Sequence, residues 1–522
     1  MKKKQSHVFS QVPKADIPRS KFDRSHGYKT TFDSGYLVPI FIDEVLPGDT
    51  FSLRPTLFSR LATLIAPVMD NLYLDTFFFF VPERLVFGNF QRMCGEQDNP
   101  DDSTDFIFPT ITAPSGGFSV GSLADYFGIP TGVDGLEVRA EPFRVYNLVY
   151  NEWFRDENLQ DSVPFTKADD DKESNYKLLR RCKRHDYFTS ALPWPQKGPG
   201  VELSFGGNAP VVAPNGIEFI DSTNNVRSLF AGAQDTGSTT KLVTFGSYNS
   251  NFNHTLTLDD KSGIYADMTN VTSFTINQFR EAFQVQKWYE RAARGGTRYT
   301  EILRSFFGVI SPDARLQRPE YLGGGSQMID INVVPQTSAS NSTTPQANLA
   351  AFATAHSNNG GFTKSFTEHG WIIGLCNVRA DLTYQQGLNR MWSRSTKFDM
   401  YWPVFAHLGE QEILNKEIYA QGTAEDDKSF GYQERYAEYR YRPNVITGKL
   451  RSTYPQSLDT WHLAQKFDNL PVLNEEFIQD KPPVERIIAV QNEPQFILDC
   501  WFNLKCVRPM PLYGVPGLVD HF

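Results

Sequence analysis

Ten consecutive residues, Leu72-Tyr-Leu-Asp-Thr-Phe-Phe-Phe-Phe-Val81, constrain this chain more than any other stretch. The run is almost continuously apolar and rich in aromatic side chains, with no 3.6-residue alternation. It therefore predicts a strand covered on both faces rather than a surface helix. It is also far short of the roughly 18 residues a membrane helix needs, as is the run Trp371–Cys376. A strand of this kind belongs in the middle of a sandwich or beneath a second subunit. Its surroundings agree: Tyr36–Ile42 reads as a strand and Leu46-Pro-Gly-Asp49 as a turn. The last third returns to strands at 370–384, 433–441, 487–491 and 495–507. Aromatic residues make up 14 % and charged residues only 21 %, which excludes a chain disordered throughout. Division by length suggests three to four domains for 522 residues, but one β domain with very long loops uses the same length.

Between these strands the texture changes several times. Residues 96–105 form an acidic loop, 143–159 carry a helical pattern, and 176–187 read as a basic, helix-like segment with Lys177, Arg180, Arg181, Lys183 and Arg184. In 206–270, 29 of 65 residues are Ser, Thr, Asn or Gly, which suits an exposed β-built insertion with strands near 241–245 and 255–258. A helix follows: Thr275 and Gln278 have capping-box spacing, Phe279, Phe283 and Tyr289 contribute to one face, and Gly295-Gly296 stops it. A shorter helix spans 300–307, and 335–361 is loop-like. There is no repeat of fixed period.

Charge is distributed unevenly. Residues 1–29 carry Lys2, Lys3, Lys4, Lys14, Arg19, Lys21, Arg24 and Lys29 against Asp16 and Asp23, a surplus of +6 on a chain whose total is −9. A basic arm on an acidic body fits either a polyanion-binding tail or a solvated terminus. Met1-Lys-Lys-Lys-Gln-Ser-His lacks an apolar signal-peptide core, and five scattered cysteines form no disulfide framework or paired CxxC. These features predict reduced thiols and synthesis in a cytoplasm.

Motifs of chemistry are weak. Gly117-Phe-Ser119-Val-Gly121 fits the nucleophile-elbow pattern, but Ala113-Pro-Ser-Gly precedes it where a buried strand should stand. Asp33-Ser-Gly and Asp235-Thr-Gly match the aspartic-protease triplet, yet Asp235 lies in the polar insertion and both read as turns. No histidine pair has HExxH spacing, and Asp169–Asp171 and Asp259-Asp260 lack the EF-hand glycine and glutamate, so they read as solvated loops. No phosphate-binding glycine loop is present. The sequence predicts no enzyme, no cofactor and no metal.

Whole segments nevertheless resemble one family. They are Lys29-Thr-Thr-Phe-Asp-Ser-Gly35, Asp43-Glu-Val-Leu-Pro-Gly-Asp49, Phe77-Phe-Phe-Phe-Val-Pro-Glu-Arg-Leu-Val-Phe87, Lys183-Arg-His-Asp-Tyr-Phe-Thr-Ser-Ala-Leu-Pro-Trp-Pro-Gln-Lys197, Tyr289-Glu-Arg-Ala-Ala-Arg-Gly-Gly-Thr-Arg-Tyr299, Gly431-Tyr-Gln-Glu-Arg-Tyr-Ala-Glu-Tyr-Arg-Tyr441 and Arg508-Pro-Met-Pro-Leu-Tyr513. Together they resemble the major capsid proteins of microviruses, the small tailless single-stranded DNA phages, and most closely the gokushovirus branch. The likeness runs from about residue 20 to the C-terminus and is weakest over 206–270.

The resemblance implies a mainly β fold, an eight-stranded antiparallel jelly-roll β-sandwich with very long loops and a few helices. It implies a single jelly-roll domain over 30–522, an interior basic arm over 1–29, and 206–270 as an exposed insertion at the threefold protrusions. The implied function is a structural subunit of the smallest icosahedral (T=1) shell around circular single-stranded DNA, in a virion assembled in a bacterial host. Lys2, Lys3, Lys4, Arg19, Lys21 and Arg24 are then the expected phosphate contacts, with Phe22 or Tyr28 available for base stacking. The 177–184 cluster pairs on this reading with acidic loops of a neighbour. Implied partners are copies of the chain, packaged DNA, a DNA-binding or pilot protein and a bacterial surface receptor, with no membrane insertion. Two alternatives from other classes are a secreted hydrolase built on Ser119 or on Asp33 with Asp235, and a phage spike or lectin-like adhesin.

Overall fold

The computed structural model describes residues 17–201, 275–310, 312, 317–342 and 345–513, together with the backbone of five short strands between 211 and 266. The chain divides into two compact units, residues 198–289 and the remainder. Within the first, Glu218–Ile220 pairs with Val226–Ser228 and Thr257–Leu258, and Val211–Val212 pairs with Tyr265–Ala266, all antiparallel. The expected strand at 241–245 lies outside the described residues.

The larger unit is built on two antiparallel sheets. Its long strands are β1 (Ser20–Asp23), β2 (His26–Phe32), β3 (Val38–Val45), β4 (Thr50–Leu64), β5 (Leu72–Pro82), β6 (Glu320–Met328), β7 (Asp330–Pro335), β8 (Leu349–Ser357), β9 (Phe362–Ser365), β10 (Gly370–Ala380) and β11 (Phe496–Arg508). The seven-stranded sheet runs β1–β11–β4–β8–β7, with β2 also on β11 and β9 also on β4. The four-stranded sheet runs β6–β5–β10–β3. Adjacent strands are therefore far apart in sequence, as in Phe502 opposite Pro55 and Gly374 opposite Phe78.

The apolar run becomes β5, and its two faces bury into two different cores. Leu72, Leu74, Phe78 and Phe80 point between the sheets, where Phe78 meets Phe362 at 5.8 Å and Phe80 meets Phe366 at 4.6 Å between ring centroids. Phe79 and Val81 point the other way, into a cluster capped by helix α1 (Glu141–Val149) and its continuation Tyr150–Phe154. Phe154 stands edge-on to both Phe77 (5.2 Å) and Phe79 (5.9 Å). The second face is thus covered by the chain's own helix rather than by another subunit. Each buried Phe contributes roughly 1.5–3 kcal/mol. On β10, all of whose residues are buried, Gly374 leaves room for Phe41 and Phe78: a Cβ there would stand 2.6 Å from the Phe78 ring and 2.9 Å from Phe41.

The helices after residue 270 form as expected. Helix α2 (Ile276–Arg294) opens with the capping box, Thr275 N donating to Gln278 Oε1 (2.8 Å) and Gln278 N to Thr275 Oγ1 (3.2 Å), and stops at Gly295. Helix α3 (Tyr299–Phe307) ends at Gly308, whose φ is +69°.

Several local expectations are overturned. Residues 176–187 are extended after Tyr176, not helical, because their main chain bonds two other segments: Arg181 N donates to Gly35 O, and Asp480 N to Arg181 O. Residues 349–357 are strand β8 rather than loop, since Ala351, Ala353 and Ala355 alternate inward and are small enough to lie close over β4. The strand expected at 433–441 occupies Ser429–Glu434 instead, and Tyr436 at φ +62° turns the chain out of pairing. Residues 487–491 form only an isolated bridge from Ile488 to Leu64.

Candidate assembly and nucleic-acid surfaces

Among the described residues nothing covers the outer face of the seven-stranded sheet, and the basic arm feeds into its edge. Lys2, Lys3 and Lys4 lie outside the described residues. Arg19 is exposed and donates to the carbonyl oxygen of Gly48. Lys21 is exposed on β1, opposite Val507. Arg24 forks onto Asp43 (2.5 and 3.0 Å), so its charge is already balanced within the chain. Phe22 is half-buried against Cys506 in the register. Tyr28 does not stand ready to stack: it packs on the inter-sheet core, and its hydroxyl donates to the carbonyl oxygen of Tyr126 (3.0 Å).

The segment 176–187 uses three of its cations, Arg180, Arg181 and Lys183, internally, which sequence reasoning missed. Arg181 reaches Asp75 on β5 (2.8 Å), as does Arg379 on β10 (2.7 Å). Burial alone would raise the Asp75 carboxyl, but hydrogen bonds from Ser326 and Arg379 and both guanidinium charges hold it below the usual carboxylate range. Arg180 lies over the Tyr36 ring (3.9 Å). Lys183 is buried over the Phe477 ring (4.4 Å), and burial pushes its ammonium down to about 8 despite the charges of Asp480 and Asp186. Burial likewise pushes Asp480 up to about 7, with Lys183, Arg181 and Arg379 opposing it. These side chains anchor loops to the sandwich. Of this segment, Lys177, Arg184 and His185 are exposed.

Asp171 is not a solvated loop residue either. Its side chain is fully buried with that of Arg144 (2.7 Å), and Tyr176 Oη donates to it as well (2.6 Å). Arg144 donates in addition to the carbonyl oxygens of Val86 (2.9 Å) and Ala168 (2.7 Å). Among the described residues no group of three or more His, Cys, Asp or Glu could hold a metal. Asp259 and Asp260 lie outside them, as does Asp235.

Among the described residues the candidate catalytic groups are not assembled. Ser119 is exposed in a turn, and the Asp33 carboxylate accepts the main-chain N–H of Gln495 (2.9 Å). Next to it, Gly35 has φ +81° and no space for a Cβ, which would stand 2.1 Å from the Asp480 carbonyl oxygen. The Asp-Ser-Gly triplet is therefore a packing device. All five cysteines are free, and burial raises the thiols of Cys182, Cys376, Cys500 and Cys506. No helix among the described residues is long and apolar enough to cross a membrane.

A different surface stands out between 388 and 408. Met391, Trp392, Phe398, Tyr401, Val404 and Leu408 are all exposed, Trp392 at 71 % and Val404 at 83 %. The segment is ordered by local bonds, such as Trp402 Nε1 to the Lys397 carbonyl oxygen (2.7 Å) and the Thr396–Asp399 capping turn. A pre-shaped apolar surface of this kind marks a contact with another macromolecule. Its signal in the sequence was the aromatic surplus, which could not be divided between core and surface without coordinates.

Comparison with known proteins agrees with a shell-building role and not with catalysis. A family model described as capsid protein (F protein) matches residues 10–518. The chain is 51 % identical to capsid protein VP1 of Bdellovibrio phage phiMH2K, over 99 % of this chain and 98 % of that one. It is 45 % identical to capsid protein VP1 of Chlamydia phage 1, over 98 % and 97 %, and 40 % identical to that of Spiroplasma virus 4, over 99 % and 100 %. With its ordered apolar surface, its internally spent charges and no catalytic group assembled among the described residues, this chain belongs to the phage capsid F-protein family, on the gokushovirus branch of the microvirus capsid proteins.

Proposed function

We propose that copies of this chain close the smallest class of icosahedral shell around a circular single-stranded DNA genome, after synthesis in the cytoplasm of a bacterial host. The observation that carries this reading is the ordered, solvent-facing apolar segment 388–408, which the described residues of the monomer leave unburied. Obligate interfaces are large and apolar. The scaffold is read as an eight-stranded jelly roll. Its support is the strand order β2–β11–β4–β8 against β3–β10–β5–β6, with β1, β7 and β9 as additions. On this reading residues 30–522 form one jelly-roll domain.

Residues 206–270 are proposed as the exposed insertion used in host attachment, supported by their polar composition and by the separate compactness of 198–289. The arm 1–29 is proposed to face the packaged DNA, with Lys2, Lys3, Lys4, Arg19 and Lys21 as phosphate contacts and Arg24 holding the arm to β3 through Asp43. A DNA-binding or pilot protein and a surface receptor complete the expected partners.

Electron microscopy of the purified full chain under assembly conditions tests the central claim. Closed particles of uniform size are expected, and a stable monomer would overturn it. Exchange of 206–270 with a relative's segment is expected to move host range. Neutralising Lys2–Lys4 is expected to lower DNA content without preventing closure.

A further inference from the structure

The outward face of the seven-stranded sheet carries an arrangement that assembly alone does not explain. Its two central strands, β4 and β11, present Phe58 and Trp501 to solvent, 48 % and 54 % exposed. Their inward neighbours Leu57, Cys500 and Phe502 are fully buried, so the two rings are outward by the strict alternation of the strands. The Trp501 indole lies against the backbone of Gly27 on the next strand, where a Cβ would stand 3.6 Å from it, so the ring is backed by the sheet.

Cations flank the rings. The register sets Asp499 opposite Phe58, Asn503 opposite Arg54 and Ile497 opposite Arg60, which leaves the two arginines two to four residues from Phe58 on the same face of β4. Both arginines are exposed, and neither has an ion-pair partner among the described residues. The two carboxylates on β1 and β11 of this face are already engaged: Asp499 binds Lys29 (2.9 Å), and Asp23 accepts from Lys505. The face is therefore locally cationic on a chain whose net charge is −9. Its edge strand β1 is also where the basic arm joins the fold.

We propose that this face is a stacking platform for single-stranded DNA, on which Phe58 and Trp501 each receive a base while Arg54 and Arg60 hold the adjoining phosphates. The inference rests on the reading of the chain as a shell around such DNA and places the contact on the sandwich itself rather than on the arm alone. Aromatic side chains accept any base by its π-face and arginines neutralise the backbone, so binding is independent of sequence and sensitive to salt. An open sheet with exposed aromatics on its central strands is a surface single strands are known to use. A carboxylate-bearing protein partner is disfavoured, because guanidinium groups flanking a pair of aromatic rings match a repeating phosphate and base better than isolated acids.

The test uses the full chain, unassembled and at low concentration, with an oligothymidylate of about 20 nucleotides as the probe. Phe58→Ala with Trp501→Ala is expected to weaken binding by at least tenfold per ring. Arg54→Gln with Arg60→Gln is expected to flatten the dependence of log K on log salt by about 1.4. Ultraviolet cross-linking to thymine, mapped by mass spectrometry, is expected to fall on the peptides of Phe58 and Trp501. All four side chains point outward, and unchanged circular dichroism and melting check that the variants fold. Unaltered affinity in both double variants, with the wild type binding, would overturn the platform while leaving the genome reading intact. Wild-type chain that binds no oligothymidylate would overturn both. Shells that fail to close while oligothymidylate binding is unchanged would assign the face to a contact between copies and overturn the proposal.

Discussion

At the scale of single residues, the molecule spends its charges inside. Arg144 and Asp171 are buried together, and replacing only one leaves the other uncompensated in a medium that cannot solvate it. Arg144→Met is expected to cost about 3–5 kcal/mol in urea unfolding of the unassembled chain, and Arg144→Met with Asp171→Leu less than the single change. Asp480 supplies a pH dependence. Burial raises its carboxyl to about 7, so between roughly pH 3.9 and 7 the folded chain keeps a proton that the unfolded chain has lost. Stability contributed by this group is therefore present at the acid end and falls as pH rises through the window. Unfolding of Asp480→Asn is expected to show a flatter slope there, and an unchanged slope would place the titration elsewhere.

At the scale of elements, legibility depended on whether neighbours in space were also neighbours in sequence. The Thr275–Gln278 cap and the Gly295 stop are local, and helix α2 obeys both. Strand β5 announced itself because both of its faces are apolar. Residues 176–183 did not, because what extends them is bonding to Gly35, Leu37, Ile478 and Asp480, segments distant in sequence. The site was legible to the same degree: the triplet Asp33–Gly35 could be seen, but not the packing that requires it, and Trp501 could be seen, but not the open face it stands on. Tyr146 tests how such elements are held. Its buried hydroxyl donates to the Leu37 carbonyl oxygen (2.8 Å) and accepts from Leu179 N (3.0 Å), so one helix residue pins two extended segments. Tyr146→Phe preserves the ring and orphans both groups, and a loss of about 1–3 kcal/mol is expected by denaturant titration. Near-neutral stability would mean that water replaces the hydroxyl.

At the scale of the whole molecule, the question is how a chain carrying 14 % aromatic residues avoids collapse into aggregates and yet closes a shell. Part of the answer is that the aromatic side chains of β5 and β10 are buried within the chain, by the opposite sheet on one side and by helix α1 on the other. Of the exposed remainder, Trp392, Phe398, Tyr401 and Trp402 stand together in 388–408 on a segment fixed by its own turns. A fixed surface loses little entropy on docking, so association there is favoured over indiscriminate sticking. Trp392 and Val404 stand farthest into solvent, and neither contributes to a buried cluster. A single charge at either position leaves the fold untouched but must be desolvated when copies meet, a cost of several kcal/mol multiplied by every contact around the shell. Trp392→Asp and Val404→Asp are therefore expected to yield soluble chain with wild-type circular dichroism and melting but without closed particles in electron micrographs. Normal particles from both variants would place the subunit contacts on another surface.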